Sequence, residues 1–370
     1  MVHGMKGFCL IYRPTTIAIK NFVYTMDYGL STMDHKQEMR KLTLYLLLLF
    51  SCSVAVGQDP YFSQYFSAPL SFNPALTGYI DGSHRLAVNF RNQWANISTP
   101  YQTAAVSFDT RILRKQLPER DRWGLGLHAM YDVAAGGIYK NSYIALSTGF
   151  NKGLDEEGNQ SIGIGIQAAL GRNVVDFNKI SFGNQFTSSG FDLSVPSGES
   201  INNRSVSFAS VNAGILYNYA DEAGNTFSFG AAAFHLTSPR LNFFTGQNSR
   251  LSRRYVLHGS VLLKTNEQDE VFFSANFMQQ ARNTQSVIGG AYGWGIGSSG
   301  YHLYTGAWLR AGDAVYPYTG LRTENFQVGI SYDITQSDLR KSNGFTGSSE
   351  ISFIWFFDQR NKGKIIPCFF

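Results

Sequence analysis

From about residue 84 onward, apolar and polar positions alternate along the chain. Leu86, Val88 and Phe90 are interleaved with Ala87, Asn89 and Arg91; Ala104, Val106, Phe108, Thr110 and Ile112 are interleaved with Ala105, Ser107, Asp109 and Arg111. A period of two predicts strands with one apolar and one polar face. Comparable segments follow at 123–133, 139–151, 161–171, 206–219, 227–236, 255–264, 271–279, 285–294, 301–309, 315–321, 326–334 and 351–357, with no convincing amphipathic helix between them. The pattern predicts an all-β chain of about 14 strands, many about ten residues long. That length crosses a bilayer at a tilt and exceeds the mean strand of soluble sheets, which is about five to six residues.

The connections point the same way. If both termini face the periplasm, odd-numbered connections face outward and are the longer ones. The longest stretches, 172–204, 238–252 and 335–346, follow the fifth, seventh and thirteenth strands; 155–159, 221–225 and 266–270 follow even-numbered strands and read as tight turns. A soluble sandwich has no reason to sort loops by parity. Aromatic residues also gather near strand ends, as Trp94 with Tyr101, Trp123 with Tyr131, Tyr217 with Tyr219, and Trp355 with Phe356 and Phe357. Girdles at the two membrane interfaces produce that distribution. The expected fold is a transmembrane antiparallel β-barrel of outer-membrane type over 84–357, with a soluble β-sandwich or propeller as the competing reading.

Composition removes other classes. Charged residues make up 15% of the chain, against roughly 25% in typical soluble domains. A mean hydropathy of −0.15 excludes a bundle of transmembrane helices, which needs repeated apolar runs of about 20 residues. The net charge is +5, but six of the 31 basic residues and three of the 26 acidic ones precede residue 58, leaving 25 and 23 for the rest. Nucleic-acid binding, which needs a basic face on the folded domain, is therefore not expected.

Met39-Arg40-Lys41, the leucine-rich run 42–50 and Ala55-Val56-Gly57 form a secretory signal in the expected order, with cleavage between Gly57 and Gln58. On this reading Met39 is the start and residues 1–38 are an over-extended reading frame without a domain. Cys52, after Leu49-Phe50-Ser51, offers a lipoprotein-type alternative. Beyond Gln58 the only cysteine is Cys368, so no intramolecular disulfide is expected.

Signatures of catalysis are weak. Gly124-Leu125-Gly126 and Gly163-Ile164-Gly165 lie inside strands with no following helix, which rules against a phosphate loop and favours small residues packing inside a barrel wall. His84, His128, His235, His258 and His302 are scattered without metal-ligand spacing and read as wall or interface residues. There is no nucleophile elbow with an assignable triad. Asp192 and Glu199 read as solvated loop residues, and the Ser/Gly/Asn-rich stretch 183–204 suits a surface contact better than catalysis. No catalytic residue, cofactor or metal is expected.

One segment breaks the period of two. Residues 58–78 carry three prolines and the aromatics Tyr61, Phe62, Tyr65, Phe66 and Phe72. A solvated linker is normally poor in aromatics, so a luminal plug or a cap under the periplasmic mouth, spanning 58–83, is expected.

This stretch closely resembles the start of the PorP/SprF family, outer-membrane proteins of the type IX secretion system in Bacteroidota. The motif is carried by Gln58, Asp59 and Pro60; Phe62, Ser63, Gln64 and Tyr65; Pro69 and Leu70; Asn73, Pro74 and Ala75; and Thr77 with Gly78. The resemblance extends through Arg91-Asn92-Gln93-Trp94 and Pro100-Tyr101 to the closing strand, covering about 58–357. It implies an integral outer-membrane barrel that helps export particular cargo proteins or hold them at the cell surface, including large gliding adhesins. The implied partners are secretion-machine components, the cargo and the lipid bilayer. Residues 1–38 have no family counterpart, and the tail 358–370 runs past the aromatic on which such barrels usually end; Pro367 argues against a closing strand there. A passive nutrient channel and a soluble secreted adhesin are the alternative functions.

Overall fold

The computed structural model describes residues 59–80, 82–95, 99–201, 204–246, 248–297, 300–338, 341 and 346–358. The expected signal sequence, its cleavage site at Gly57 and Gln58, Cys52, and the tail beyond Asp358 lie outside these residues.

Fourteen of the described strands close into one antiparallel barrel, each paired with its neighbour in the chain and the last with the first. They are β1 (His84–Gln93), β2 (Tyr101–Ile112), β3 (Arg122–Ala134), β4 (Tyr139–Gly153), β5 (Gln160–Val175), β8 (Ser205–Ala220), β9 (Thr226–Phe234), β10 (Arg254–Lys264), β11 (Glu270–Gln280), β12 (Asn283–Ile296), β13 (Tyr301–Arg310), β14 (Ala314–Arg322), β15 (Phe326–Thr335) and β16 (Thr346–Phe357). The remaining two strands, β6 (Phe186–Thr187) and β7 (Gly190–Phe191), form a small hairpin within the connection from β5 to β8. Closure removes every free sheet edge, the condition for strands to survive in lipid.

The alternation sorts side chains onto two faces. Val88, Phe90, Val106, Phe108, Leu125, Leu127, Ile164 and Ile166 point outward and are exposed, while Arg85, Asn89, Arg91, Ser107, Asp109 and Gln167 point inward and are buried. This inverts the usual soluble arrangement, as expected where lipid is the outer solvent. Of the end aromatics, Trp94, Tyr101, Trp123, Tyr131, Tyr219 and Trp355 are exposed on the outer face, but Phe356 turns inward and is buried. Its neighbours Trp355 and Phe357 occupy the outward positions of the same strand, so the pleat forces it in.

The long connections 176–204, 235–253 and 336–345 share one end of the barrel, and the turns 154–159, 221–225, 265–269 and 323–325 share the other. Four connections limit the parity rule: 113–121 is extended on the turn end, while 135–138, 281–282 and 311–313 are short on the loop end. The fifth connection also starts later than the sequence suggests, because Arg172, Asn173 and Val174 continue the pairing of β5 with β8. Polar side chains there hid a strand that the backbone ladder extends.

Aspartates staple the turn end. Asp155 accepts the amides of Asn159 and Gln160 at 3.0 and 2.9 Å, and Asp221 accepts that of Asn225 at 2.8 Å. Side-chain hydrogen bonds from Asn225 and Asn266 hold the Asp221 and Asp269 carboxyls below the ordinary value. The Asp221 and Asp269 staples are therefore in place at neutral pH and are lost as the pH falls through the depressed folded values.

Candidate functional site: a plug in the barrel lumen

Residues 59–80 make three short turns in place of a strand. A 3-10 turn at Tyr65–Ser67 leads into a one-turn helix α1 (Pro69–Phe72) and a second 3-10 turn at Pro74–Leu76. Pro69 and Pro74 open their turns, where a missing N–H costs nothing. Asn73 caps the last turn, its Oδ1 accepting the Ala75 amide at 2.9 Å. The resulting coil is compact enough to be enclosed: Gln64, Leu70, Asn73, Ala75, Leu76 and Thr77 have no exposed surface.

The wall meets this coil with two kinds of surface. On one side Tyr65, Phe66, Phe72, Leu76 and Tyr79 join Phe272, Trp308, Tyr316 and Tyr318 in one buried apolar cluster. The Phe66 ring lies 4.9 Å from Trp308 and makes edge contacts with Phe272 at 5.9 Å and Tyr318 at 5.4 Å. On the other side glycines let backbone approach backbone. A Cβ on Gly124 would fall within 3.0 Å of Gly78, and one on Gly165 within 3.0 Å of the Pro74 carbonyl and Ala75 amide, separations real Cβ atoms essentially never show. Gly214 gives the same clearance to the Asn73 amide. Gly124, Gly126 and Gly165 of the Gly-x-Gly runs thus line a seat for the plug, while Gly163 makes room for the Asn151 side chain, refining the expectation of small residues inside the wall.

Polar contacts fix both ends. Toward the loop end, Ser63 and Gln64 donate their amides to the Glu350 carboxylate at 2.7 and 2.8 Å. Arg91 Nη1 donates to the Tyr61 carbonyl at 2.6 Å and its Nη2 to Asp333 at 2.9 Å. Arg310 bridges Asp333 at 3.0 Å and Ser63 Oγ at 2.6 Å. Arg91, Arg310, Asp333 and Glu350 are each no more than 3% exposed, so two guanidinium groups and two carboxylates share a dry site with the Ser63-Gln64 backbone. Toward the turn end, Arg85 pairs with Asp109 at 2.9 Å and donates to the Leu76 carbonyl at 3.0 Å, while Asp109 also accepts the Gly78 amide at 2.8 Å. Between them, Asn73 Nδ2 donates to the Ile215 carbonyl at 3.0 Å and lies 2.9 Å from His258 Nε2. Gln167 donates to the Leu70 carbonyl at 3.1 Å, and Arg254 to that of Ser71 at 3.1 Å.

The residues singled out in the sequence thus separate. Phe62, Ser63, Gln64, Tyr65, Pro69, Asn73, Pro74, Ala75 and Gly78 come together in the buried coil, whereas Asp59 and Pro60 are half-buried at its start. Trp94 is apart from them: it ends β1 with φ 57°, donates its amide to the Gly347 carbonyl at 2.9 Å and packs edge-on against Tyr101 on the outer surface. The sequence reading missed Arg310, Asp333, Glu350 and His258 as plug partners. The available signal was charge or imidazole at inward positions in the middle of apolar-alternating strands, where an unpaired group would be costly.

No curated protein matches the chain in sequence. Among solved structures it is similar to the Ralstonia pickettii toluene transporter TbuX (10% identity, 79% of this chain and 94% of that one, TM-score 0.47). It is also similar to a Pseudomonas aeruginosa FadL homologue (10% identity, 77% and 93%, TM-score 0.44). These likenesses are too distant to carry function. The sequence profile described as type IX secretion system membrane protein PorP/SprF, in contrast, matches residues 54–355. That match spans the plug segment and the barrel from β1 into β16, and the chain belongs to the PorP/SprF family of type IX secretion system membrane proteins, as an integral barrel of the outer membrane.

Proposed function

We propose that this barrel serves type IX secretion as a closed anchor: it helps export particular proteins or holds them at the cell surface, with gliding-adhesin-type proteins as the cargo class, and performs no catalysis. The observation that carries the reading is the seated plug, whose aromatic and ionic contacts fill the lumen that a nutrient channel would need open. Cargo contact then falls to the outward loops 176–204, 235–253 and 336–345. The first of these presents Phe186, Phe191 and Leu193 at 59–65% exposure around the β6–β7 hairpin, an apolar patch on an otherwise polar loop. Such patches mark protein-binding surfaces.

Crosslinking followed by affinity purification from the outer-membrane fraction tests this. Wild-type protein is expected to recover secretion-machine components and a large surface protein, and a Phe186→Ser, Phe191→Ser variant to lose the surface protein while remaining in the membrane. An unchanged partner set in the variant would move the contact elsewhere, and recovery of no partner from either, with ion conductance in planar bilayers, would select the channel. The motif itself has a separate test. Asn73→Ala with Pro74→Ala removes the cap, the wall contacts and the fixed φ at the plug's centre, so the barrel is expected in the membrane without cargo display on intact cells; normal surface labelling of cargo would refute a role for the motif.

A further inference from the structure

The outer face of the wall is not uniformly convex. Across β2, β3, β4, β5 and β8, near the loop end, it carries an apolar groove of about 850 Å³. The outward side chains of Ala104, Ala129 and Ala209 are small, and the groove is flanked by Tyr131, Ile144 and Leu170, which are exposed. Ala104 pairs with Tyr131, Ala129 with Ile144, and Leu170 with Ala209, so the depression crosses consecutive strands in register. Inward-facing Ala105, Met130, Tyr143, Gly171 and Phe208 contribute the floor between these positions.

The groove's loop-end margin is basic. Arg172 is part of the lining and is exposed, donating one bond to Ser205 Oγ at 3.3 Å. Its partner across the ladder is Ser142, and Lys140, exposed on the same face, is two residues farther toward the loops. The acid that follows β5, Asp176, accepts the Asn178 amide at 3.2 Å. Long connections of outer-membrane barrels face the cell exterior, so this half of the wall lies in the outer leaflet.

A lipid-facing groove gains nothing from the hydrophobic effect, since the surrounding tails are equally apolar. What distinguishes one lipid from its neighbours is close packing of a chain against a fixed surface and charge pairing at the headgroup. An acyl groove that ends at two cations satisfies both for an anionic lipid. We infer that this groove is a binding site for one anionic, phosphate-bearing lipid of the outer leaflet, an acyl chain lying over Ala104, Ala129 and Ala209 and the phosphate meeting Arg172 and Lys140. The site faces lipid on the opposite side of the wall from the plug, whose Phe62 and Ala68 pack on Ala105 and Met130 from within, and its occupancy does not depend on the cargo reading.

Native mass spectrometry of the full chain, released from phosphatidylcholine nanodiscs containing monophosphoryl lipid A, tests the assignment. Wild type is expected to retain one lipid A molecule in preference to phosphatidylcholine. Ala129→Trp, which fills the groove, should lower lipid A occupancy by about tenfold, equivalent to about 1.4 kcal/mol. Arg172→Gln with Lys140→Gln, which alters only exposed side chains, should abolish the preference for lipid A over phosphatidylcholine. Heat-modifiable gel mobility verifies that each barrel is folded, and the charge variant decides the matter if Ala129→Trp does not assemble. Equal retention of lipid A by wild type and the charge variant would overturn the proposal, as would preference for phosphatidylcholine or a groove-dependent dimer in place of bound lipid.

Discussion

Gly165→Val is expected to unseat the plug while leaving the barrel standing. The glycine contributes its backbone to the ladder between β4 and β8, and valine is as good a strand residue as any. Its side chain, however, would enter the space held by the Pro74 carbonyl and the Ala75 amide. Both are backbone atoms of a turn fixed by proline and by the Asn73 cap, so no rotamer change relieves the clash. Ordinary overpacking costs about 1–3 kcal/mol, and here the cheaper response is for the segment to move. The measurement is ion conductance in planar bilayers: wild type should be nearly silent, and the variant should show open steps at the same protein density. The heat-modifiable mobility that reports a folded barrel should persist. A silent, folded Gly165→Val protein would mean that the plug tolerates the added side chain or that another part of the wall closes the lumen.

Asp333→Ala should have an effect of similar size by a different route. Asp333 accepts from Arg91 at 2.9 Å, Arg310 at 3.0 Å, Ser348 at 2.7 Å and Ser63 at 2.9 Å. Alanine leaves Arg91 with Glu350, 3.9 Å away, and Arg310 with the half-exposed Asp313 at 2.9 Å, and breaking a buried pair from one side costs about 3–5 kcal/mol. Water entering along the Ser63-Gln64 segment is the available relief, so the loop-end half of the plug should loosen first. The expected result is a lower unfolding temperature together with faster hydrogen exchange at the Ser63 and Gln64 amides. Exchange at the Gly78 amide, held by Asp109 on the far side, should change much less. Uniform acceleration at both ends would instead mean that the coil is released as one unit.

The barrel was legible because lipid and lumen impose opposite polarities on successive residues, and that constraint repeats at every strand. Leu86 to Arg91 already displays it. The seat of the plug was not legible in the same way. Residues 59–80 follow no period, so their prolines and aromatics indicate order without direction, and the segment was compatible with either a lumen or a periplasmic cap. Its partners are separated from it by up to 288 positions, as with Gln64 and Ser352, and nothing local in β16 distinguishes Glu350 from an inward residue facing water. Gly124 and Gly165 were visible as small residues in a wall, but what pressed against them was not. The parity of the loops held at the three longest connections and failed at 113–121 and 281–282, because parity sets which end a loop occupies and only loosely how long it is.

The path of the plug also bears on the order of assembly. Ser63 and Gln64, near the start of the described chain, bond to Glu350 in the strand that completes the ring against β1. The partners that hold the coil at the loop end therefore lie on both sides of the seam where the ring closes, Arg91 on β1 and Asp333 and Glu350 on β15 and β16. Until β16 pairs with β1, the coil can hold its glycine seat on β3, β4, β5 and β8 but not its complete ionic clasp. The strand that closes the wall delivers the clasp too, so the finished barrel and the sealed barrel form together, and a half-built wall need not be a sealed one. Such coupling makes closure of the ring the moment at which the membrane regains its barrier.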